Sequence, residues 1–185
     1  MKNLLFRTLA VFAILAASFS MTSCNEGGDD DDSDINPTPD MTVKNVTINY
    51  SINLADTYYK YFDINIEYIN NDGQIVNEAL TENMQYSFSA SYDETPDNIV
   101  CKIVATPKAE LPSIESGNEY IRNASIVVNI KGYNKDGIEN EDFAYRGSFS
   151  AAGYNSANEW TNYTSRVHTF IDLNYPKGSA NPATE

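Results

Sequence analysis

Three observations predict an all-β fold, an antiparallel β-sandwich of about seven strands with immunoglobulin-like architecture. Apolar residues recur with period two along most of the chain after residue 40, turn signals separate those runs, and no helical stripe at i, i+3, i+4, i+7 follows the N-terminal apolar run. The length of 185 residues suits one domain. Residues 41–185 suffice to bury about 68–70% of the surface the unfolded chain exposes, so neither a metal nor a disulfide is needed for folding.

Residues 1–23 have the three parts of a secretory signal peptide: a basic start at Lys2 and Arg7, an apolar run from Leu9 through Phe19, and a small-residue end at Thr22-Ser23. The run is shorter than the ~20 apolar residues a membrane-spanning helix needs, so a cleaved signal is expected. Its removal leaves 26 acidic against 10 basic residues and takes the formal charge from −14 to −16. A surface of that sign repels phosphate backbones and anionic headgroups, which argues against nucleic-acid binding and against membrane attachment by charge.

Met21-Thr22-Ser23-Cys24 then leads into Glu26 and the run Asp29-Asp30-Asp31-Asp32-Ser33-Asp34. This junction resembles the signal of surface-exposed lipoproteins of Bacteroides-type bacteria, in which a lipobox ends in the acylated cysteine and an acidic export segment follows. Ser23 fits the lipobox, whereas Met21 and Thr22 depart from its preferred residues. The resemblance implies a lipoprotein acylated, for example with palmitate, at Cys24 and anchored in the outer membrane, facing the extracellular side. It covers the first 34 residues and implies nothing about activity. Residues 24–40 hold seven acids and almost nothing apolar, so they read as a flexible, self-repelling tether. The aspartates lack the defined loop that calcium coordination requires.

The first strand alternates Val46, Ile48, Tyr50, Ile52 and Leu54 with polar neighbours. In the second, Tyr58, Phe62, Ile64, Ile66 and Tyr68 take one face, and the strand ends at Asn70-Asn71-Asp72-Gly73, whose Asp-Gly pair is expected to supply positive φ angles for a hairpin. The third carries Met84, Tyr86, Phe88, Ala90 and Tyr92, and the fourth Ile99, Cys101, Ile103 and Ala105. Pro107, Pro112 and Ser116-Gly117 mark residues 106–117 as a loop. Ala124, Ile126, Val128 and Ile130 form the fifth strand, ending at Asn134-Lys135-Asp136-Gly137, and Phe143, Tyr145, Phe149 and Ala151 the sixth. A polar loop from Gly153 to Trp160 precedes the seventh, with Tyr163, Val167, Ile171 and Leu173 facing inward. The domain is thus expected over 41–175, with a disordered tail at 176–185.

Gly73 and Gly137 lie 64 positions apart, and Ser87-Phe88-Ser89-Ala90 recurs as Ser148-Phe149-Ser150-Ala151. These similarities suggest two related three-strand halves, against the alternative that amphipathic strands resemble one another by chance.

Chemistry finds little support in the residues. His168 is the sole histidine and reads as an exposed strand residue without a nucleophile beside it. No ligand pair has zinc spacing, and the Asp-Gly turns do not fit a calcium loop, because Tyr68 or Gly132 would be the first ligand. No cofactor is expected, nor is an enzyme. Cys101 reads as a small buried hydrophobe. The remaining signal is aromatic: with thirteen tyrosines and one tryptophan, Trp160, Tyr154, Tyr59 and Tyr61 are the candidate ligand-binding residues, set on loops or on the face opposite the core. Flat rings beside Asn donors suit a sugar, while Tyr is equally an ordinary sheet residue. The expected function is a non-catalytic binding or structural module. Its alternatives are a surface glycan-binding protein of a polysaccharide-uptake system and an adhesin or pilus-type subunit assembling by strand addition.

Overall fold

A computed structural model describes residues 39–178; the signal peptide, Cys24, most of the tether and residues 179–185 lie outside the described residues. Two four-stranded antiparallel sheets face one another. The first has the order β4-β1-β7-β8, from Met84–Ser91, Asn45–Leu54, Ala124–Tyr133 and Glu139–Ala151. The second has the order β10-β5-β2-β3, from His168–Pro176, Asn98–Pro107, Phe62–Ile69 and Ile75–Ala79. A small ribbon pairs β6, Glu119–Ile121, with β9, Tyr154–Ser156, and two short helices, α1 at Asp56–Tyr61 and α2 at Ala157–Tyr163, complete the chain.

The β-sandwich class is as expected, and the extra strands β3, β6 and β9 are short elements that periodicity over a long window does not register. β1 alternates as read, with Val46, Ile48, Tyr50, Ile52 and Leu54 all buried. Tyr50 stands at the centre, its hydroxyl donating to the Val100 carbonyl at 3.2 Å and accepting the Ile69 N–H at 3.3 Å, so one side chain of the first sheet bonds two strands of the second. Tyr50→Phe should therefore cost about 1–3 kcal/mol by leaving the Ile69 N–H unpaired in the core, read as a lower urea midpoint at unchanged m-value.

Several expectations are corrected. The second strand begins at Phe62, because Asp56–Tyr61 is helical and buries Tyr58 and Tyr61, one turn apart. The loop read from Gly153 to Trp160 and the strand start read at Tyr163 give way to α2, which ends at Tyr163 and is started by a capping box in which Ser156 and Glu159 exchange side-chain and backbone bonds. On β10 a bulge between Thr169 and Ile171 changes the parity, so Phe170, Leu173 and Tyr175 point inward while Val167 lies outside, 56% exposed. The tail does not fray at 176: Pro176 ends β10, and the Lys177 N–H donates to the Asp97 carbonyl.

Both hairpins, β2–β3 and β7–β8, turn on the predicted Asp-Gly pairs, but only the glycine has positive φ, +72° at Gly73 and +78° at Gly137. The leading asparagine does the remaining work. Asn70 Oδ1 accepts from the N–H groups of Asp72 and Gln74, and Asn134 Oδ1 from those of Asp136 and Ile138. The similarity stops at these turns. Phe88 lies on β4, which pairs with β1, whereas Phe149 lies on β8, which pairs with β7, so the recurring Ser-Phe-Ser-Ala segments fall on non-equivalent strands.

Cys101 is fully buried on β5, and burial pushes its thiol up to about 12. In a Cys24→Ser chain this thiol should stay silent toward DTNB in native buffer and react fully in guanidinium.

Candidate binding site at the helical end of the sandwich

β1 enters the sandwich at one end. The opposite end carries α1, α2 and the β6–β9 ribbon, and this is where the aromatic residues gather. Trp160 is fully buried, with Tyr58, Tyr61 and Phe62 edge-on around it at 5.6–6.2 Å and Tyr120 and Tyr163 stacked near-parallel at 5.8 and 5.3 Å. The helical spacing of Trp160 and Tyr163 on α2, and of Tyr58 and Tyr61 on α1, points these rings at one another.

This placement corrects the expected sugar platform. Trp160 and Tyr61 are core residues, with Tyr61 1% exposed and its hydroxyl bonded to the Ser113 carbonyl. Tyr59 is half-buried, and its hydroxyl donates to Asn83 Oδ1, the same atom that accepts the Leu54 N–H at the end of β1. Tyr154 alone of the four is on the surface, 64% exposed on the β6–β9 ribbon. The four do not form a common surface because amphipathic helices turn three of them toward protein.

A different group of residues converges beside the cluster. A depression of about 460 Å3 is lined by Arg122, Tyr163 and His168 together with Phe149 and Ser150 of β8 and Thr169 and Phe170 of β10. Arg122 follows β6 directly, and its N–H donates to the Gly153 carbonyl, which fixes it across the ribbon from β9. Its guanidinium carbon lies 5.9 Å from the centre of the Tyr163 ring, and its buried Nε has no hydrogen-bond partner among the described residues. His168 stacks on Tyr163 at 3.8 Å with the planes 14° apart.

Its Nε2 lies 2.8 Å from the Tyr163 carbonyl, and since a carbonyl only accepts, Nε2 carries the proton and Nδ1 is the acceptor in the neutral ring. Burial, opposed by that hydrogen bond and reinforced by the charges of Arg166 and Arg122, lowers the His168 pKa below its ordinary 6.5. The unfolded chain then takes up the proton first. This contribution to stability is complete above pH 6.5 and is lost as pH falls toward the folded-state value. The melting temperature of wild type should thus fall more steeply below pH 6.5 than that of His168→Gln.

No acidic residue lines this depression. In a chain of net charge −14, Arg122 and the exposed Arg166 approach His168 and Tyr163 here, and the Glu159 carboxylate of α2 lies near enough to Arg122 to interact with it. A second cleft, about 410 Å3 at the entry end, mixes both signs: Asp93 and Asp142 face Lys44 and Lys177 across Tyr92 and Phe143. Lys177 is already committed there, donating to the carbonyls of Tyr92 and Thr95 and pairing with Asp97.

Among the described residues no three His, Cys, Asp or Glu side chains gather as a metal site, and no helix is long and apolar enough to cross a membrane. No family model, curated protein or solved structure matches the chain. Arg122 carries no sequence signal of its own; it stands out only once the fold brings β6, α2 and β10 together.

Proposed function

We propose that the protein is a lipoprotein acylated at Cys24 and displayed from the outer membrane, and that its β-sandwich is a non-catalytic module binding a carboxylate-bearing sugar at the Arg122–Tyr163–His168 depression. The observation that carries the ligand class is the buried, unpartnered Arg122 Nε beside stacked rings. A guanidinium offers paired donors to a carboxylate, and aromatic faces cover the C–H side of a sugar ring. Ser150 and Thr169 add hydroxyls for the remaining polar groups. The guanidinium is half-buried against the Tyr163 ring, and its Nε is the atom without a partner among the described residues.

Oligogalacturonate is the probe for the site. Wild type should bind it, and Arg122→Gln should lose about tenfold or more in affinity, as expected for one charge-assisted pair of about 1.5–3 kcal/mol. Lys102→Gln, which breaks an exposed ion pair with Asp172 on the outer face of the second sheet, is the control and should bind as wild type does. Equal binding by wild type and Arg122→Gln, or none by wild type, refutes the site. The anchor has its own test: labelled palmitate should be incorporated by wild type and lost completely in Cys24→Ala, and an unlabelled wild type would remove the lipoprotein reading.

A further inference from the structure

We propose that the edge of β4, which is unpaired among the described residues, is a docking edge for an extended segment of another protein, one with apolar residues at alternate positions and Lys or Arg at its ends. This goes beyond the sugar-binding reading and rests on different residues. A sandwich of two open sheets has four outer edges, and proteins ordinarily blunt them with charge, proline, bulges or brevity. Three are blunted here. β3 is five residues long and carries Glu78; β8 carries Glu139, Glu141, Asp142 and Arg146 and a register shift opposite Ile130 and Gly132; β10 has a bulge, Asp172 and a terminal proline.

β4 has none of these devices. Its eight residues, Met84–Ser91, hold no charge, no proline and no glycine, and its ladder with β1 runs from Ile52↔Met84 to Asn45↔Ser91 without a register shift. The direction of its backbone groups follows from that register. The Tyr92 N–H donates to the Lys44 carbonyl, and the Leu54 N–H points to Asn83 at the other end of the ladder, so even-numbered β4 residues bond to β1. Gln85, Ser87 and Ser89, all exposed, therefore aim their N–H and C=O groups away from the sheet. On the inner side Met84, Tyr86 and Ala90 are only half-buried, leaving an apolar rim that alternate side chains of an added strand would cover.

The flanks decide the occupant. Glu82 lies beyond one end of β4 and Asp93 and Glu94 beyond the other. A second copy pairing antiparallel about Phe88 would bring Glu82 and Glu94 of the two copies opposite one another, and like charges facing across strands destabilise. A strand with basic ends meets Glu82 at one end and Asp93 and Glu94 at the other, where Lys177 is already engaged by Asp97 and by the Tyr92 and Thr95 carbonyls.

The test uses the full chain in detergent and two synthetic peptides of β4's length, alternating Val and Thr, one flanked by Lys and one by Glu. The Lys-flanked peptide should slow hydrogen exchange at the Gln85, Ser87 and Ser89 amides and bind about tenfold or more tighter than the Glu-flanked one. Ser87→Pro removes an outward N–H and no bond to β1 while also fixing φ, and Ser87→Lys adds an edge charge without touching the backbone; each should weaken binding by about tenfold or more while the melting curve stays cooperative. Unchanged exchange at those amides, equal binding of the two peptides, or binding unaffected in both variants overturns the proposal. A concentration-dependent dimer of the chain alone that disappears in Ser87→Lys also overturns it, by giving the edge to a second copy.

Discussion

Trp160→Ala should destabilise the fold by about 3–5 kcal/mol, the range for removing a large aromatic from a packed core. The indole is fully buried and touches five rings drawn from α1, β2, β6 and α2. α1, α2 and β6 are too short to hold their positions by their own hydrogen bonds, and the tryptophan ties them to one another and to β2 of the second sheet. Urea unfolding should show the loss in midpoint, and hydrogen exchange should show α1, α2 and the β6–β9 ribbon opening before the two main sheets. Trp160→Phe should cost less, because it keeps most of the ring packing and removes an indole N–H that has no partner among the described residues. A Trp160→Ala chain as stable as wild type would mean that the ring serves the surface after all.

Gly132→Ala should cost about 2–3 kcal/mol, in the upper part of the overpacking range. A Cβ at this position on β7 would stand 2.6 Å from Cδ1, 2.8 Å from Cγ and 3.0 Å from Cβ of Phe143. Those atoms sit near the root of the side chain, so the whole ring would have to move. Phe143 is buried and edge-on to both Tyr92 and Tyr175, which leaves it little room. The cost is specific to that neighbour: in a Phe143→Ala background, Gly132→Ala should become nearly neutral, and a double-mutant cycle of denaturation midpoints measures the coupling. Independent, additive effects would show that the glycine is required for some other reason.

The sheets were legible because burial imposes parity on long strands. β1, β5 and β7 each place apolar residues at strict alternation, and the structure buries those sets. Where a single inserted residue changes the parity, alternation misleads: the β10 bulge exchanges Val167 for Phe170. The two helices had signals that strand alternation concealed. Tyr58, Tyr61 and Phe62 stand at i, i+3 and i+4, and Ser156 with Glu159 is a capping box ahead of Trp160 and Tyr163. Reading those spacings as helical would have moved Trp160 and Tyr61 from the surface to the core. The candidate site was not legible, since Arg122, Tyr163 and His168 come together through the β6–β9 pairing and the α2 fold, contacts that no local pattern encodes.

Binding at the Arg122 depression is the central claim, and titrating the isotope-labelled chain with oligogalacturonate while following backbone amide shifts tests it most directly. The account predicts saturable shifts confined to Ser150, Ala151, His168, Thr169 and the residues around Arg122, with those around Tyr92 and Asn140 at the entry end unmoved. Shifts centred on the entry-end cleft, or no shifts at saturating sugar, would contradict it.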